Sequence, residues 1–250
     1  MNSCVIIPAR YKSSRFPGKP LIKLLKKEMI IWVAELSAKA VGKENVFVAT
    51  DDKRISSIVN EYGFKYILTD SDLLTGTDRV ATASINLNYD IFVNVQGDEP
   101  LVNPKDILRA IEYKKKYPKS IINSYCFLSD EEKVSNKNIP KVITNENEDL
   151  IYISRAVIPN SKNEVLDPNI IYKKQVCIYS YFKNDLKEFL SFGRKSYLEN
   201  IEDIEILRFM EFGRVIKMFE TSFPSLAVDV FSDVKSVEKA LENKLLKNEL

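Results

Sequence analysis

The sequence predicts an α/β fold whose central sheet is predominantly parallel and carries helices on both faces. Over residues 1–117, short apolar runs that suit buried strands alternate with longer stretches whose apolar residues recur at helical spacing. The strand runs, such as Val5-Ile6-Ile7, are almost continuously apolar. That pattern is typical of parallel strands covered on both faces rather than of a half-exposed sheet.

The elements of the first half follow from these two periodicities. Strands are expected at 4–9, 45–52, 65–69 and 90–100, and helices at 21–41, 53–62, 77–87 and 104–117. Three strands run into polar turns, which are the basic residues after 9, the acidic turn 50–52 and the turn 96–99. Because ligands bind beyond the carboxyl ends of strands in open α/β sheets, these turns are expected to converge on one crevice.

The second half of the sequence is less regular. Strands are expected at 120–128, 173–182, 215–221 and 225–231, a hairpin within 141–159, and helices at 184–192, 199–213 and 232–248. The proline-containing segment 155–170 is the expected exposed excursion. No internal repeat or linker separates the halves, so residues 1–250 are predicted to form a single domain with an inserted subregion at about 121–222.

Composition and charge exclude several classes of function. The net charge of +2 gives no global electrostatic reason to bind nucleic acid or an anionic membrane. The chain has no histidine, which excludes Ser-His-Asp and Cys-His catalysis, His-ligated zinc and imidazole acid–base chemistry. Its three cysteines are widely separated and no apolar stretch reaches transmembrane length. We therefore expect a cytoplasmic protein with no nucleic-acid partner and no stable membrane insertion.

The basic loop after the first strand suits a polyphosphate. Residues 10–20 include two arginines, two lysines and two serines among prolines and Gly18. Arginine supplies planar bidentate donors, lysine supplies a point charge, and serine and backbone N–H groups add neutral donors. The loop matches neither the Walker A pattern nor G-x-G-x-x-G. On charge alone a solvated basic loop is the simpler interpretation, so the choice depends on the remaining motifs.

Two further motifs are consistent with a nucleotide and a metal ion. Residues 75–79, TGTDR, stand where a helix begins, and a helix N-terminus with a glycine favours anions or base-edge contacts. A plain N-cap is the alternative. Residues 94–100, NVQGDEP, end a buried strand in two acids. Acids at this end of a strand, beside a phosphate loop, indicate a magnesium site, with a solvated turn as an equal alternative.

Seven segments of the chain, taken in order, resemble one enzyme family. They are IIPARYKSSRFPGKPL, VFVATDD, TGTDR, VNVQGDEP, YISRAVIP, LENIEDIEILR and AVDVFSDV. Together they span nearly the whole chain and resemble the 3-deoxy-manno-octulosonate (Kdo) cytidylyltransferases, also called CMP-Kdo synthetases. The first and fourth segments are the specific ones. The related sialate cytidylyltransferases open with a Gly-Ser-Lys-Gly type of loop, which YKSSRFPGKP does not match.

The resemblance implies a Rossmann-like nucleotidyltransferase fold and a reaction of CTP with an α-keto-acid sugar that yields CMP-sugar and pyrophosphate. The basic side chains are then expected to neutralise the triphosphate and the charge that develops on pyrophosphate. Asp98 and Asp229 match the family's metal-binding aspartates, so Mg²⁺, or else Mn²⁺, is the expected cofactor. The expected catalytic residues are Arg10, Arg15, Lys19 and Asp98.

The resemblance also assigns the binding residues and partners. The expected nucleotide-binding residues are Ala9, Arg10, Ser14, Thr75, Gly76, Thr77, Asp78 and Arg79. The expected sugar-binding residues are Gln96, Arg155, Gln175, Glu202 and Glu205. Arg155 suits the sugar carboxylate by its fork geometry. Glu202 and Glu205 lie three residues apart on one predicted helix and so face one side, although a solvated acidic face is the alternative. The expected partners are CTP, a small acidic sugar and a second copy of the chain, which would use the subregion 121–222.

Three positions depart from the family pattern. The family usually has histidine where this chain has Leu73, Gln175 and Asn200. These changes fall mainly among the residues that the resemblance assigns to the sugar. The expected reaction with CTP is therefore unchanged, but the sugar that takes part in it is not determined. Members that act on the 8-amino analogue of Kdo lack the first and third of these histidines. This chain shares those two absences but differs from these members at Gln175. Altered specificity and compositional drift are therefore both open explanations, and Kdo is the more frequent substrate in the family.

Two other functions share part of the pattern. A hexose 1-phosphate nucleotidyltransferase has the same fold, but its opening loop is usually glycine-rich, and this loop has only Gly18. If the chain were a degenerate nucleotide-binding protein, we would expect it to have lost a metal-binding carboxylate. Asp98 and Asp229 are both present. Pyrophosphate release from CTP with different keto-sugars separates the three functions.

Overall fold

The computed structural model describes residues 1–12, 16–129, 132–162, 170–223 and 226–247. The strands are β1 (Ser3–Ala9), β2 (Lys23–Leu24), β3 (Lys27–Glu28), β4 (Val46–Thr50), β5 (Lys65–Leu68), β6 (Ile91–Val95), β7 (Ile121–Phe127), β8 (Lys141–Thr144), β9 (Leu150–Ser154), β10 (Lys173–Phe182) and β11 (Ile216–Glu220). The helices are α1 (Met29–Val41), α2 (Lys53–Glu61), α3 (Gly76–Ser84), α4 (Pro104–Lys116), α5 (Lys183–Ser191), α6 (Tyr197–Glu202), α7 (Ile206–Glu211) and α8 (Val234–Leu246), with 3₁₀ turns at Lys19–Leu21, Lys43–Asn45 and Phe231–Asp233.

One large sheet organises the chain. Its main path runs in the order β11-β7-β10-β6-β1-β4-β5. Strand β10 is antiparallel to both of its neighbours, and the other strands of this path all point the same way. The hairpin β8–β9 continues from the start of β10. The predominantly parallel sheet expected from the sequence is therefore confirmed.

Helices cover both faces of the sheet because alternate strand residues point to opposite sides. In β1, Val5 and Ile7 pack in a core that includes α1, α2 and α4. Cys4 and Ile6 pack on the other face in a core that includes α3, α5 and α7. A smaller apolar cluster joins α8 to the start of α1. The α/β architecture with helices on both faces is confirmed.

Polar side chains fix the starts of several helices. The Asp52 carboxylate accepts a hydrogen bond from Arg54 N at 2.9 Å and caps α2. Asn103 caps α4 in the same way through Lys105 N at 2.9 Å, with Pro104 as the first helical residue. These caps set the points where the chain leaves the carboxyl ends of the strands. The turns after β1, β4 and β6 therefore lie at one edge of the sheet, because these strands are parallel.

The predicted helix at 21–41 was wrong over its first eight positions. The helix α1 begins at Met29, and β2 and β3 form a two-stranded hairpin before it. Leu25 and Lys26 at its tip have left-handed backbone angles, with φ of 50° and 69°. The apolar spacing of this stretch imitates a helix, but Leu24 packs instead with Val237 and Leu241 of α8.

The predicted helix at 199–213 is two helices. The first of them, α6, ends at Glu202. Asp203 then takes a left-handed conformation with φ 51° and ψ 49° before α7 begins. The argument that placed Glu202 and Glu205 on one helical face is therefore wrong. Their side chains diverge because the turn at Asp203 changes the direction of the chain between them.

The predicted strand at 225–231 is also absent from the part of it that the structure describes, 226–231. There the carboxylate of Asp233 accepts the backbone N–H groups of Asp229 and Val230 at 2.8 and 2.9 Å, so these donors do not enter a ladder. Of the expected excursion at 155–170, residues 163–169 lie outside the described part of the chain.

The subregion 121–222 supplies β7, β10 and β11 to the central sheet, so it completes the main core. Its expected role in sugar binding and dimer contacts stays a prediction. Within the residues that the structure describes, no helix is both long enough and apolar enough to cross a membrane.

Candidate active site

A cleft of about 330 Å³ opens at the edge where the parallel strands end. Among the predicted site residues it is lined by Ala9, Arg10, Lys19, Thr75, Gly76, Arg79, Gln96, Asp98, Arg155, Gln175, Glu205 and Asp229. Thr77, Asp78 and Glu202 do not line it. Ser14 and Arg15 lie outside the described residues. The turns after β1 and β6 therefore converge on the cleft as predicted, together with the start of α3. The acidic turn 50–52, which was expected to join them, does not line the cleft.

The described ends of the basic loop are tied together by the backbone. Gly18 has φ 72° and its N–H donates to Tyr11 O at 2.9 Å, a left-handed geometry that favours glycine. Lys19 follows directly and begins a 3₁₀ turn that contains Pro20. This turn places the lysine backbone at the cleft.

Two aspartates lie near one another at the cleft floor. Val228 N donates to Asp98 O at 3.0 Å, which brings the segment carrying Asp229 against the turn after β6. Lys19 Nζ lies 2.6 Å from Asp98 Oδ2. Burial raises the pKa of the Cys177 thiol, and the charges of Glu99, Asp98 and Asp229 raise it further. Asp98, Asp229 and Cys177 all line the cleft.

The chemistry of this pair fits a magnesium ion that is shared with a substrate. Across the described ranges, no three or more His, Cys, Asp and Glu side chains are arranged to hold a metal by themselves. Mg²⁺ is usually held by one or two carboxylates together with substrate phosphates and water. The ammonium group already on Asp98 shows that this carboxylate attracts a cation. Asp98 and Asp229 could therefore hold Mg²⁺ or Mn²⁺ once phosphate oxygens complete the ligand set.

The N-terminus of α3 is occupied by a side chain of the protein itself. The Glu205 carboxylate accepts from Gly76 N at 2.8 Å, Thr77 N at 2.7 Å and Thr77 Oγ1 at 2.5 Å. Burial raises the pKa of Glu205, and these hydrogen bonds oppose the shift. The anion that this helix end favours is thus Glu205, and its assigned contact with the sugar stays untested.

Asp78 belongs to a buried ion network. Arg208 is fully buried, and its guanidinium donates to both Asp78 oxygens at 2.8 and 3.0 Å and to both Glu199 oxygens at 2.7 Å. Thr75 Oγ1 also donates to Asp78, at 2.6 Å. The network joins the start of α3 to α6 and α7, and its Glu199 lines the cleft. Sequence reasoning missed Arg208 and Glu199, because no local signal links Arg208 to Asp78, which lies 130 positions away.

Arg79 and Arg10 bring positive charge to the cleft. Arg79 is 2% exposed, donates to Thr69 Oγ1 and lies 3.8 Å from Asp51 Oδ1. Burial lowers the pKa of Arg79, and the nearby charge of Arg10 lowers it further, whereas Asp51 raises it. Two cations that line one cleft favour an anionic ligand there.

The guanidinium of Arg155 contacts backbone carbonyls. It donates to the oxygens of Glu202 at 2.5 Å, Lys137 at 2.9 Å and Asp203 at 3.0 Å. The Glu202 carboxylate accepts from Arg155 N at 2.9 Å and from Ser154 Oγ at 2.5 Å. Both side chains therefore fix the wall of the cleft, and their assigned contacts with a sugar stay predictions.

Gln175 lines the remaining cleft wall, where apolar, neutral polar and charged side chains are mixed. Gln175 Nε2 donates to Asn123 Oδ1 at 3.0 Å and to Tyr179 OH at 3.1 Å. Sequence reasoning missed Asn138, Tyr179 and Lys195, which also line the cleft. Of the three positions that depart from the family pattern, Leu73 and Gln175 line it, whereas Asn200 is exposed and does not.

A basic loop, a carboxylate pair and a capped helix at the carboxyl edge of this sheet define a nucleotidyltransferase. A family model described as "Cytidylyltransferase" matches residues 4–218. The Kdo cytidylyltransferase of Geobacter metallireducens is 39% identical over 96% of this chain and 98% of its own. The 8-amino-3,8-dideoxy-manno-octulosonate cytidylyltransferase of Shewanella halifaxensis is 36% identical over 96% and 99%.

A solved structure has the same fold. It is the structure of CMP:2-keto-3-deoxy-manno-octonic acid synthetase complexed with CTP, which is 33% identical over 98% of this chain and 100% of its own, with a TM-score of 0.87. The chain belongs to the Kdo cytidylyltransferase family, as its seven segments indicated.

The buried network gives a stability prediction. Arg208→Met leaves Asp78 and Glu199 without their counter-charge, and breaking a buried ion pair costs about 3–5 kcal/mol. We expect this loss in the free energy of unfolding in urea. Arg54→Met is the control, because the Arg54 side chain is 59% exposed in its pair with Asp52. An equal, small shift in both variants would show that the network contributes little.

Proposed function

We propose that this protein transfers the cytidylyl group of CTP to a 3-deoxy-2-keto sugar acid of the Kdo type, for the synthesis of a surface polysaccharide or lipopolysaccharide. The observation that carries the proposal is the meeting of Lys19, Asp98 and Asp229 in one cleft of a family member. In the reaction, the anomeric oxygen of the sugar bonds to the α-phosphorus. The bond from that phosphorus to the oxygen bridging the β-phosphate breaks, and pyrophosphate leaves.

The chain's own cations act on the charge of this reaction. Arg10 and Arg79 line the cleft and would hold the triphosphate. Lys19 would balance the negative charge that grows on the leaving pyrophosphate, where a preorganised cation is most effective. The chain has no imidazole to take the proton of the sugar hydroxyl, so a carboxylate or water must receive it.

Asp98 and Asp229 are the proposed holders of Mg²⁺, or alternatively Mn²⁺. A bound divalent ion would lower the pKa of a hydroxyl that it contacts and would neutralise phosphate charge. The contact of Asp98 O with Val228 N supports this proposal, because it keeps the two aspartates together before any ligand arrives.

We expect strict dependence of turnover on Mg²⁺ or Mn²⁺. Asp98→Asn and Asp229→Asn should lower kcat by about 10²-fold or more while CTP still binds through the basic loop. Asp203→Asn is the matched control, because Asp203 lines the same cleft but pairs with Lys195 at 2.9 Å. Near wild-type turnover in Asp98→Asn or Asp229→Asn would show that the metal is held elsewhere.

The identity of the sugar is the open part of this function. Two of the three positions that lack the usual histidine, Leu73 and Gln175, line the cleft, and neither side chain can carry a positive charge. A pocket with less positive potential tolerates a cationic substituent on the substrate better. This supports an amino-substituted octulosonate as an alternative substrate to Kdo.

We expect kcat/KM for the 8-amino analogue to equal or exceed that for Kdo at fixed CTP, measured as pyrophosphate release. Leu73→His should shift the preference toward Kdo, whereas Asn200→His, an exposed position, should not. A tenfold preference of the wild type for Kdo, about 1.4 kcal/mol, would contradict the amino-sugar alternative. No pyrophosphate release with either sugar would contradict the function itself.

The proposal includes a homodimer and a cytoplasmic location. Ile151, Tyr197 and Ile201 are exposed by 52%, 72% and 61% within the subregion 121–222. A contact with a second copy of the chain would cover these side chains, since contiguous apolar patches mark protein contacts. The cysteines at positions 4, 126 and 177 are free thiols, which is usual in a reducing compartment.

We expect light scattering to give the mass of a dimer at micromolar concentration. Ile201→Lys should shift the population toward monomer because it places a charge in the contact. Leu246→Lys is the control, since Leu246 is 84% exposed but lies on α8 outside the subregion. A monomer in the wild type would contradict the dimer.

A further inference from the structure

Lys19 has two possible anionic partners in the cleft. Its Nζ lies 2.6 Å from Asp98 Oδ2, and Asp98 is one of the two carboxylates that fit a metal ion. Under the proposed function the same ammonium group faces the triphosphate. The two anions compete for one ammonium group, which pairs with the one that carries the greater negative charge.

We propose that Lys19 restricts access to the metal site until the nucleotide binds. In the nucleotide-free protein the ammonium group holds Asp98 and weakens the binding of a divalent cation. The triphosphate then draws Lys19 to itself and releases Asp98. The proposal rests on the proposed function for the identity of the phosphate ligand, but the contact between Lys19 and Asp98 does not.

The backbone of Lys19 is anchored, so only its side chain has to move. Lys19 N donates to Phe16 O at 3.2 Å, and Ile22 N donates to Lys19 O at 3.2 Å. On the preceding residue, Gly18 N donates to Tyr11 O at 2.9 Å. A lysine side chain has several rotatable bonds beyond this fixed point, so its ammonium group can change partner by rotation alone.

The environment makes the ion pair effective as a barrier. The side chains of Lys19 and Asp98 are 16% and 26% exposed, so solvent and salt screen their attraction less than at an open surface. A divalent cation that approaches Asp98 must displace the ammonium group or lie beside it as a like charge. Either route lowers its affinity, because each loses favourable charge interactions.

The arrangement couples the two ligands thermodynamically. If the triphosphate raises the affinity for the cation by removing Lys19 from Asp98, the cation raises the affinity for the triphosphate by the same factor. Metal and nucleotide would then enter the cleft together, and the metal site would stay weak in the absence of nucleotide. Such a device limits occupation of Asp98 by metal ions that arrive without substrate.

A second lysine in the cleft provides the matched control. Lys195 lines the same cleft, but its Nζ lies 2.9 Å from Asp203 Oδ1 rather than from Asp98. Removing Lys195 takes away the same charge without releasing Asp98. A general repulsion of cations by the cleft would affect both variants equally, whereas competition for Asp98 affects only Lys19.

The test measures Mn²⁺ binding to the full, nucleotide-free chain. Electron paramagnetic resonance reports the concentration of free Mn²⁺ during the titration. Lys19→Gln should bind Mn²⁺ about fivefold more tightly than the wild type, since a partly exposed ion pair contributes about 1 kcal/mol. Lys19→Arg should bind as the wild type does, and Lys195→Gln should change the affinity by less than about twofold. Lys19→Met is a second neutral variant if Lys19→Gln does not fold.

Several outcomes would overturn the proposal. Unchanged Mn²⁺ affinity in both neutral Lys19 variants would show that Lys19 does not compete with the metal ion for Asp98. An equal gain of Mn²⁺ affinity in Lys195→Gln would show the same. A gain that persists in Lys19→Gln combined with Asp98→Asn would show that Asp98 is not the released ligand. Absence of CTP turnover with either sugar would overturn the proposed reaction alone, because the Mn²⁺ measurement uses neither nucleotide nor sugar.

Discussion

Arg208 carries a positive charge into a region that water does not reach. The charge is tolerated because Asp78 and Glu199 each accept two hydrogen bonds from its guanidinium. None of the three groups could be buried alone without a large desolvation cost. The start of α3 must therefore lie against α6 and α7, and the cleft wall that carries Thr75 and Gly76 is fixed by this requirement.

The left-handed backbone of Asp203 directs two nearby glutamates, Glu202 and Glu205, to different parts of the fold. Glu202 ends α6 and accepts from Ser154 and Arg155 at the end of β9. Glu205 begins the approach to α7 and caps α3 on the other side of the cleft. A continuous helix would place both carboxylates on one face. The turn instead lets one short segment bind both β9 and the start of α3, which holds these two elements at a fixed separation.

The charges in the cleft are divided between fixed and exchangeable partners. Arg155, Glu202 and Glu205 bind groups of the protein itself, so they shape the walls before a ligand enters. Lys19 and Asp98 are paired with each other and can each exchange that partner for a ligand of opposite charge. Rigid walls with a few exchangeable charges are the arrangement that positions a substrate with little reorganisation.

The sequence by itself determined the parallel sheet, the two helical layers and the convergence of the turns after β1 and β6. These features follow from local information, since apolar periodicity and caps such as Asp52 and Asn103 act within a few residues. The family could also be identified, because its motifs are short and lie in order along the chain.

Only the tertiary structure decided which of the motif residues line the cleft and which bind other groups of the protein away from it. Asp78 was assigned to the nucleotide from its motif, yet it pairs with Arg208, which lies 130 residues further along the chain. The hairpin at Leu25 and Lys26 and the turn at Asp203 also escaped the sequence, because left-handed backbone angles are unfavourable locally for these residues. Packing against α8 stabilises the first, and contacts of Glu202 and Glu205 with opposite walls stabilise the second. Interactions between distant segments of the chain outweighed local preference at each of these places, and local sequence carries no record of them.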